Sequence, residues 1–175
     1  KLPTFEQEVI KDVEKTTIAN IYSKQETTKS KYYRFLWGDH YRHFYSIPIE
    51  YPNLYLNDSE YGMLTPTITE GGNQINILRL MNEKGQEFVI NPLKKNAPKF
   101  LQKGVLKDKV IEKKVKGTYT ESFVNDFYTT AHPFATTILS NFADQIGIYS
   151  AKPKIFYIPK QKGLGIYNYD FGDAL

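Results

Sequence analysis

The tetrapeptide Asn82-Glu-Lys-Gly85 sits between two short β-prone runs, Ile75-Asn-Ile-Leu-Arg-Leu80 and Phe88-Val-Ile90. Asn and Gly are turn residues for different reasons: Asn bonds its own backbone, and Gly takes a positive φ without a steric cost. Two β-prone runs that close together, with such a turn between them, predict an antiparallel hairpin. A loop carrying Gly71-Gly72-Asn73 precedes the first run. The expected order through residues 62–93 is glycine loop, strand, tight turn and returning strand. The chain before it reads as an approach, and the chain after it as packing and a helical cover.

The length of 175 residues suits one domain with a sizeable core. At 41% hydrophobic and 24% charged residues, wholesale disorder is excluded. The 14 Tyr and 11 Phe suit strand-rich packing and half-wet surfaces. With no cysteine, disulfide scaffolds, thiolate zinc sites and cysteine nucleophiles are all ruled out. No run approaches the ~18 apolar residues of a spanning helix, and no signal peptide is recognisable. The start at Lys1 and the stop at Leu175 read as those of an excised piece of a longer protein.

Charge is unevenly placed. Residues 94–116 hold nine lysines against Asp108 and Glu112, a local excess of +7 that leaves the remainder of the chain at −3 within a total of +4. Such a segment can face an anionic lipid or polymer, or be a solvated connector. Nucleic acid is not the expected partner, because the segment has no arginine and Phe100 is its only ring.

Taken in order, residues 1–30 read as an extended lead-in, with residues 17–22 able to add an edge strand. Residues 30–45 read as two short helical turns broken at Gly38, with Tyr32, Phe35 and Leu36 on one face. Pro48 and Pro52 confine the next stretch to irregular or edge-strand structure, and residues 57–62 form a turn. Residues 119–147 carry the clearest helical pattern: Phe123 and Phe127 are four apart, and Phe134, Ile138, Phe142 and Ile146 repeat at four, so one stripe is expected to face the core. Pro133 splits the pattern into a helix ending near Thr130 and another running from Pro133, as first helical position, to Ile146, with Gly147 as its stop. A short strand follows over residues 154–158 between Pro153 and Pro159. Residues 161–165 read as a loop and residues 167–171 as an aromatic run.

Several residues invite a chemical role. Asp39, His40, Arg42 and His43 cluster as metal ligands or acid–base groups do, although a zinc site needs ligands from elsewhere. The alternative is a Trp-anchored corner whose charges pair locally. His132 reads as a cap or packing residue, with a catalytic base as the alternative. Gly71 and Gly72 let backbone N–H groups approach a phosphate, or form a plain hairpin bulge. Neither a Walker loop nor a G-x-G-x-x-G fingerprint is present. Arg79 is a candidate anion partner or a solvent-facing strand residue. The phosphate-binding set is therefore Gly71, Gly72, Asn73, Arg79, Lys94 and Lys95; no catalytic residue, metal ligand or cofactor is assigned.

Longer stretches carry a resemblance. They are Phe35-Leu-Trp-Gly-Asp-His-Tyr-Arg42, Gly71-Gly72-Asn73-Gln74 with Leu78-Arg79-Leu80, Leu93-Lys-Lys95 with Phe100-Leu-Gln102, Asp126-Phe-Tyr-Thr-Thr-Ala-His-Pro-Phe134, and Ile146-Gly-Ile-Tyr149 with residues 154–159. In this order they resemble the middle region of large calcineurin-like metallophosphoesterase proteins of Bacteroidetes, especially flavobacteria. In that family a phosphoesterase domain comes first and a surface-antigen-type outer-membrane β-barrel last. The resemblance implies a periplasmic, outer-membrane-associated middle domain whose partners are the neighbouring domains of the same parent chain. The di-metal motifs of the phosphoesterase are missing here. The order of hairpin, basic connector, helix and strand also resembles a protein-kinase-like N-lobe. There Asn91 stands where that fold holds nucleotide with a lysine, and Asp144 is the only acid on the second helix.

The expectation is an α+β fold: a small antiparallel sheet built on a central β-hairpin, covered by a two-part helix, with residues 1–30 as linker and 31–175 as a single domain. The expected role is a non-catalytic binding or spacer domain of an envelope metallophosphoesterase. The alternatives are a nucleotide-binding half-site built from the phosphate set, and binding of an anionic lipid or polysaccharide through residues 94–116.

Overall fold

The computed structural model describes residues 14–71, 76–101 and 117–175. It is an α+β fold whose described strands form two antiparallel sheets. Strand β1 (Thr16–Ala19) pairs with β2 (Ile49–Pro52). A second sheet has the order β3 (Leu64–Gly71), β4 (Asn76–Asn82), β5 (Glu87–Ile90), each strand antiparallel to its neighbour. Helices α1 (Lys24–Thr27), α2 (Lys31–Trp37) and α3 (Arg42–Ser46) lie between β1 and β2. After the sheet come α4 (Ala97–Phe100), α5 (Tyr119–Tyr128) and α6 (Ala135–Gln145), then a 3-10 turn (Lys162–Tyr167) and α7 (Asn168–Phe171). No described helix is long and apolar enough to cross a membrane.

The expected hairpin is β4–β5. Gly85 N–H donates to the Asn82 carbonyl at 3.0 Å, and Gly85 takes φ +75°, which favours glycine. The Asn82 side chain accepts from the N–H groups of Lys84 (3.0 Å) and Gln86 (2.9 Å) and donates to the Tyr61 carbonyl at 2.9 Å. One buried side chain therefore closes the turn and ties it to the preceding loop.

Strand β3 is an addition to the expected picture. The pattern over residues 62–71 predicts only a glycine loop, and Pro66 within it cannot donate to a ladder. The strand accommodates it at the sheet edge through a register shift between Pro66 and Ile68, where the Thr67 hydroxyl donates to the Arg79 carbonyl at 3.2 Å. Gly71 is thus the last residue of β3, opposite Asn76, while Gly72 and Asn73 lie outside the described residues.

Leu78 and Leu80 point to one face of β4 and are buried with Leu54, Leu56, Leu64, Ile158, Leu164 and Phe171 in the main core. Residues 154–158 lie beside this core but bridge only at Tyr157, to Asn53, and at Ile158, to Ala174. Gln161 supplies the missing ladder partner. Its side-chain carbonyl accepts from Leu56 N–H at 2.7 Å, and its amide donates to the Leu54 carbonyl at 3.0 Å. The loop expected at residues 161–165 is largely taken up by the 3-10 turn, and α7 occupies the aromatic run.

Two expectations are corrected. The lead-in expected over residues 1–30 lies outside the described residues up to residue 13, and its edge strand is present as β1. The stretch beyond β1 is more than a linker: it forms α1 and buries Ile21 and Tyr22 with Tyr45 in a second core group that Leu93, Phe134 and Leu175 flank. Ser23 and Glu26 form a capping box that a pattern of apolar spacing does not register. The other correction concerns α6. The split falls at Pro133 as expected, although the helix begins at Ala135 with Phe134 as its cap and not at Pro133. Gly147 follows it at φ +72°, but the apolar stripe is turned outward. Ile138, Leu139, Phe142 and Ile146 are exposed, Phe142 to 60%, whereas Ser140 is the buried residue. Phe134, in the cap position before the helix, is the member of the stripe that reaches the second core group. On α2 likewise, Tyr32, Phe35 and Leu36 are all exposed.

Candidate functional site

The cluster at residues 39–43 is divided by the fold. Gly38 caps α2 at φ +77°, and His40 takes φ 50°, an uncommon conformation for a residue with a side chain. This sharp corner sends Asp39 back to Arg34 on α2 and sends Arg42 inward. Arg42 grips Asp126 of α5 with two bonds, Nε to Oδ1 at 2.6 Å and Nη2 to Oδ2 at 2.7 Å, and its Nη1 donates to the Gly38 carbonyl at 2.6 Å. Tyr33 Oη donates to Asp126 Oδ2 at 3.1 Å. His40 Nδ1 lies 3.3 Å from Thr129 Oγ1 and 3.7 Å from Asp126 Oδ2.

Both charges are buried, Arg42 at 5% and Asp126 at 4% exposure. Burial pushes the Asp126 carboxyl up, but the Arg42 guanidinium, Lys29 and Tyr33 together hold it below the usual carboxylate range. Tyr33 responds in the opposite sense: burial and the Asp126 charge push its phenol up to about 12. The ion pair is thus charged at neutral pH and joins segments 84 residues apart. A reading confined to residues 39–43 predicts local pairing, which Asp39 shows and Arg42 does not. Asp126 is one of two acids on an aromatic helix, the other being Glu121, and its role depends on tertiary contact.

His132 is a packing residue. Its Nδ1 accepts from Phe134 N–H at 3.2 Å, and its ring meets Tyr41, Phe44 and Phe134. Nearby, Tyr45 Oη donates to the carbonyls of Tyr128 (2.9 Å) and Ala131 (3.0 Å), a second tie between α3 and the α5–α6 link. Among the described residues, no group of three or more His, Asp or Glu is placed to hold a metal.

Of the expected phosphate set, Gly72 and Asn73 lie outside the described residues, and Arg79, Lys94 and Lys95 each have separate surroundings. Arg79 projects from the face of β4 opposite Leu78 and Leu80, with Nη1 at 3.4 Å from Glu87 Oε2. Lys94 bonds Glu26 of α1 at 2.9 Å and lies 5.1 Å above the Tyr22 ring. Lys95 is half-buried, and desolvation lowers its pKa. The rest of the basic segment, residues 102–116, lies outside the described residues.

A different concavity emerges. A cavity of about 350 Å³ lies between β5, the first turn of α6 and residues 152–156. Leu54, Leu64, Leu80 and Ile158 bring the main core to it, and Phe88 and Phe156 add aromatic walls. Its polar lining includes Asn91, Thr136, Thr137, Lys152 and Lys154, beside the phenol of Tyr61. None of these was in the expected set, and Gly71, Arg79, Lys94 and Lys95 are not among its lining residues. Isolated lysines flanking a proline carry no motif, so spacing along the chain does not reveal the site.

Comparison of the chain with family models, curated proteins and solved structures returned no match. The class that fold and site define is an α+β domain with a polar inter-helix junction and a lysine-rimmed apolar cavity.

Proposed function

We propose that this chain is a non-catalytic accessory domain, a binding or spacer module, in a calcineurin-like metallophosphoesterase of the cell envelope. Its place would be the periplasm, associated with the outer membrane and packed against neighbouring domains of its parent chain. The family part of this reading rests on the ordered motifs quoted above. The observation that carries the packing role is the outward stripe of α6, where Ile138, Leu139, Phe142 and Ile146 are exposed, with Ile148 and Tyr149 exposed just beyond. A contiguous apolar patch of this kind marks an interaction surface. The charged side chains that most invited a chemical reading are engaged within the fold: Arg42 by Asp126, Asp39 by Arg34, Lys94 by Glu26 and Arg79 by Glu87.

Two measurements test the reading. The isolated chain should bind a hydrophobic dye, and the double substitution Phe142→Lys, Ile146→Lys should weaken that binding with little change in Tm. An isolated chain that binds no dye contradicts the packing role. Metal-dependent hydrolysis of a generic phosphoester by the purified chain contradicts the non-catalytic role.

A further inference from the structure

Helix α2 buries none of its seven residues, although five of them are aromatic or leucine. A helix in a folded domain ordinarily covers such a face. Tyr32, Phe35 and Leu36, spaced i, i+3 and i+4, share the outward side, with Phe35 at 84% exposure. Tyr33 and Trp37 turn toward α5, where the Trp37 ring meets Phe123 at 5.2 Å and Phe127 at 6.2 Å. Trp37 and Phe127 still keep 45% and 46% exposure, so the patch continues from one helix to the other.

The charge around this patch is predominantly positive. Lys24, Lys29 and Lys31 stand before and at the start of α2, and none pairs with a carboxylate among the described residues. Lys29 instead donates to Ser122 Oγ at 3.1 Å and lies 5.5 Å from the centre of the Tyr33 ring. The neighbouring acids are engaged elsewhere: Glu26 holds Lys94, Asp39 holds Arg34 and Asp126 holds Arg42. Glu121 of α5 accepts from the Gly117 N–H. The α6 stripe is the contrast. It is as exposed, but that helix carries no lysine or arginine, and its Asp144 pairs with Lys152. Aliphatic surface without cations suits another protein face. Aromatic rings bordered by lysines suit the edge of an anionic bilayer, where Trp and Tyr rings sit at headgroup depth and lysine stems lie along apolar surface.

We propose that α2, with the adjoining edge of α5, docks on an anionic phospholipid bilayer. Phe35 and Leu36 would enter the acyl boundary, Tyr32 and Trp37 would lie among the headgroups, and Lys24, Lys29 and Lys31 would meet lipid phosphates. This surface is separate from the α6 stripe and from the lysine-rich residues 94–116, so its failure leaves the packing role intact, and failure of that role leaves this surface intact.

Trp37 is the single tryptophan of the chain, so its fluorescence reports on this face alone. The full chain is mixed with vesicles of equal phosphatidylglycerol and phosphatidylcholine, and with vesicles of phosphatidylcholine only. Binding to the anionic vesicles should shift Trp37 emission to the blue and make it quenchable by brominated lipid. It should be about tenfold tighter than to neutral vesicles and should weaken as salt screens the lysines. Phe35→Ser with Leu36→Ser keeps every lysine and should lower the affinity by about tenfold or more, with little change in Tm because both positions are exposed. Lys29→Gln with Lys31→Gln should weaken binding to anionic vesicles and leave neutral ones unchanged. Phe142→Ser with Ile146→Ser on α6 should leave the Trp37 shift as it is. Equal affinity for both vesicles overturns the lipid assignment. Undiminished binding in Phe35→Ser, Leu36→Ser, or bound protein without a Trp37 shift, overturns the surface. Self-association of the unmodified chain that this same variant abolishes assigns the face to a second copy and overturns the proposal.

Discussion

The sheet half and the helical half of this molecule bury different chemistry. Around β4, the buried groups are Leu64, Leu78 and Leu80, with the neighbouring leucines, Ile158 and Phe171 closing over them. Around α5 and α6 the most buried side chains include Asp126, Thr129 and Ser140, with Arg42 reaching in from α3, while Phe35, Leu139 and Phe142 stand in solvent. One half is held by apolar area removed from water, which is non-directional and tolerant of small shifts. The other adds to its smaller apolar group a buried charge pair that works only in one geometry. Two forces in one small domain imply two kinds of fragility, and the predictions below separate them in descending order of effect.

Breaking the ion pair is the harshest test. Asp126→Ala leaves the Arg42 guanidinium buried without its partner and should cost about 3–5 kcal/mol in urea-induced unfolding. A loss below about 1 kcal/mol would show that water enters the junction freely. The same pair predicts a pH dependence. Because the folded carboxyl is held below its unfolded value of about 3.9, its contribution is complete above that value and is lost as pH falls through the lower folded one. The stability gap between the unmodified chain and Asp126→Asn should be flat from neutral pH to about pH 5 and narrow below about pH 4. A gap that widens in acid would contradict the assignment.

On the sheet side, Leu80→Ala removes a fully enclosed side chain and should cost about 2–5 kcal/mol, depending on how far the core collapses around the gap. A double-mutant cycle with Asp126→Ala should be additive within about 0.5 kcal/mol if the halves are energetically independent. Strong coupling would erase the distinction drawn here.

A smaller effect is expected where α7 closes on the core. A Cβ at Gly172 would stand 2.6 Å from the Asn168 carbonyl oxygen and 2.7 Å from Lys160 Cγ. The lysine can swing away and the carbonyl cannot, so Gly172→Ala should cost about 1–3 kcal/mol. An unchanged Tm would mean the turn opens without penalty.

The smallest effect is the sharpest contrast. Leu139→Ala on α6 makes the same chemical change as Leu80→Ala, but at an exposed position, and should alter stability by no more than about 0.5 kcal/mol. A loss near that of Leu80 would mean that α6 buries its apolar stripe in solution, and it would remove the basis of the packing role.

Local instructions in the chain account for the hairpin at Asn82 and Gly85, the break at Gly38, the division at Pro133 and the stop at Gly147. Each depends on backbone torsion or a missing N–H group, properties a residue carries wherever it stands. The α+β class follows from the same signals together with the switch in apolar spacing. Tertiary structure alone decided which way the α6 stripe faces, that Arg42 reaches Asp126, that Pro66 belongs to a strand, and that Thr137, Lys152 and Lys154 share a cavity with Leu80. Periodicity states that a face is apolar without saying what will lie against it. A charge finds its partner through the folded path of the chain, which neighbouring residues do not encode.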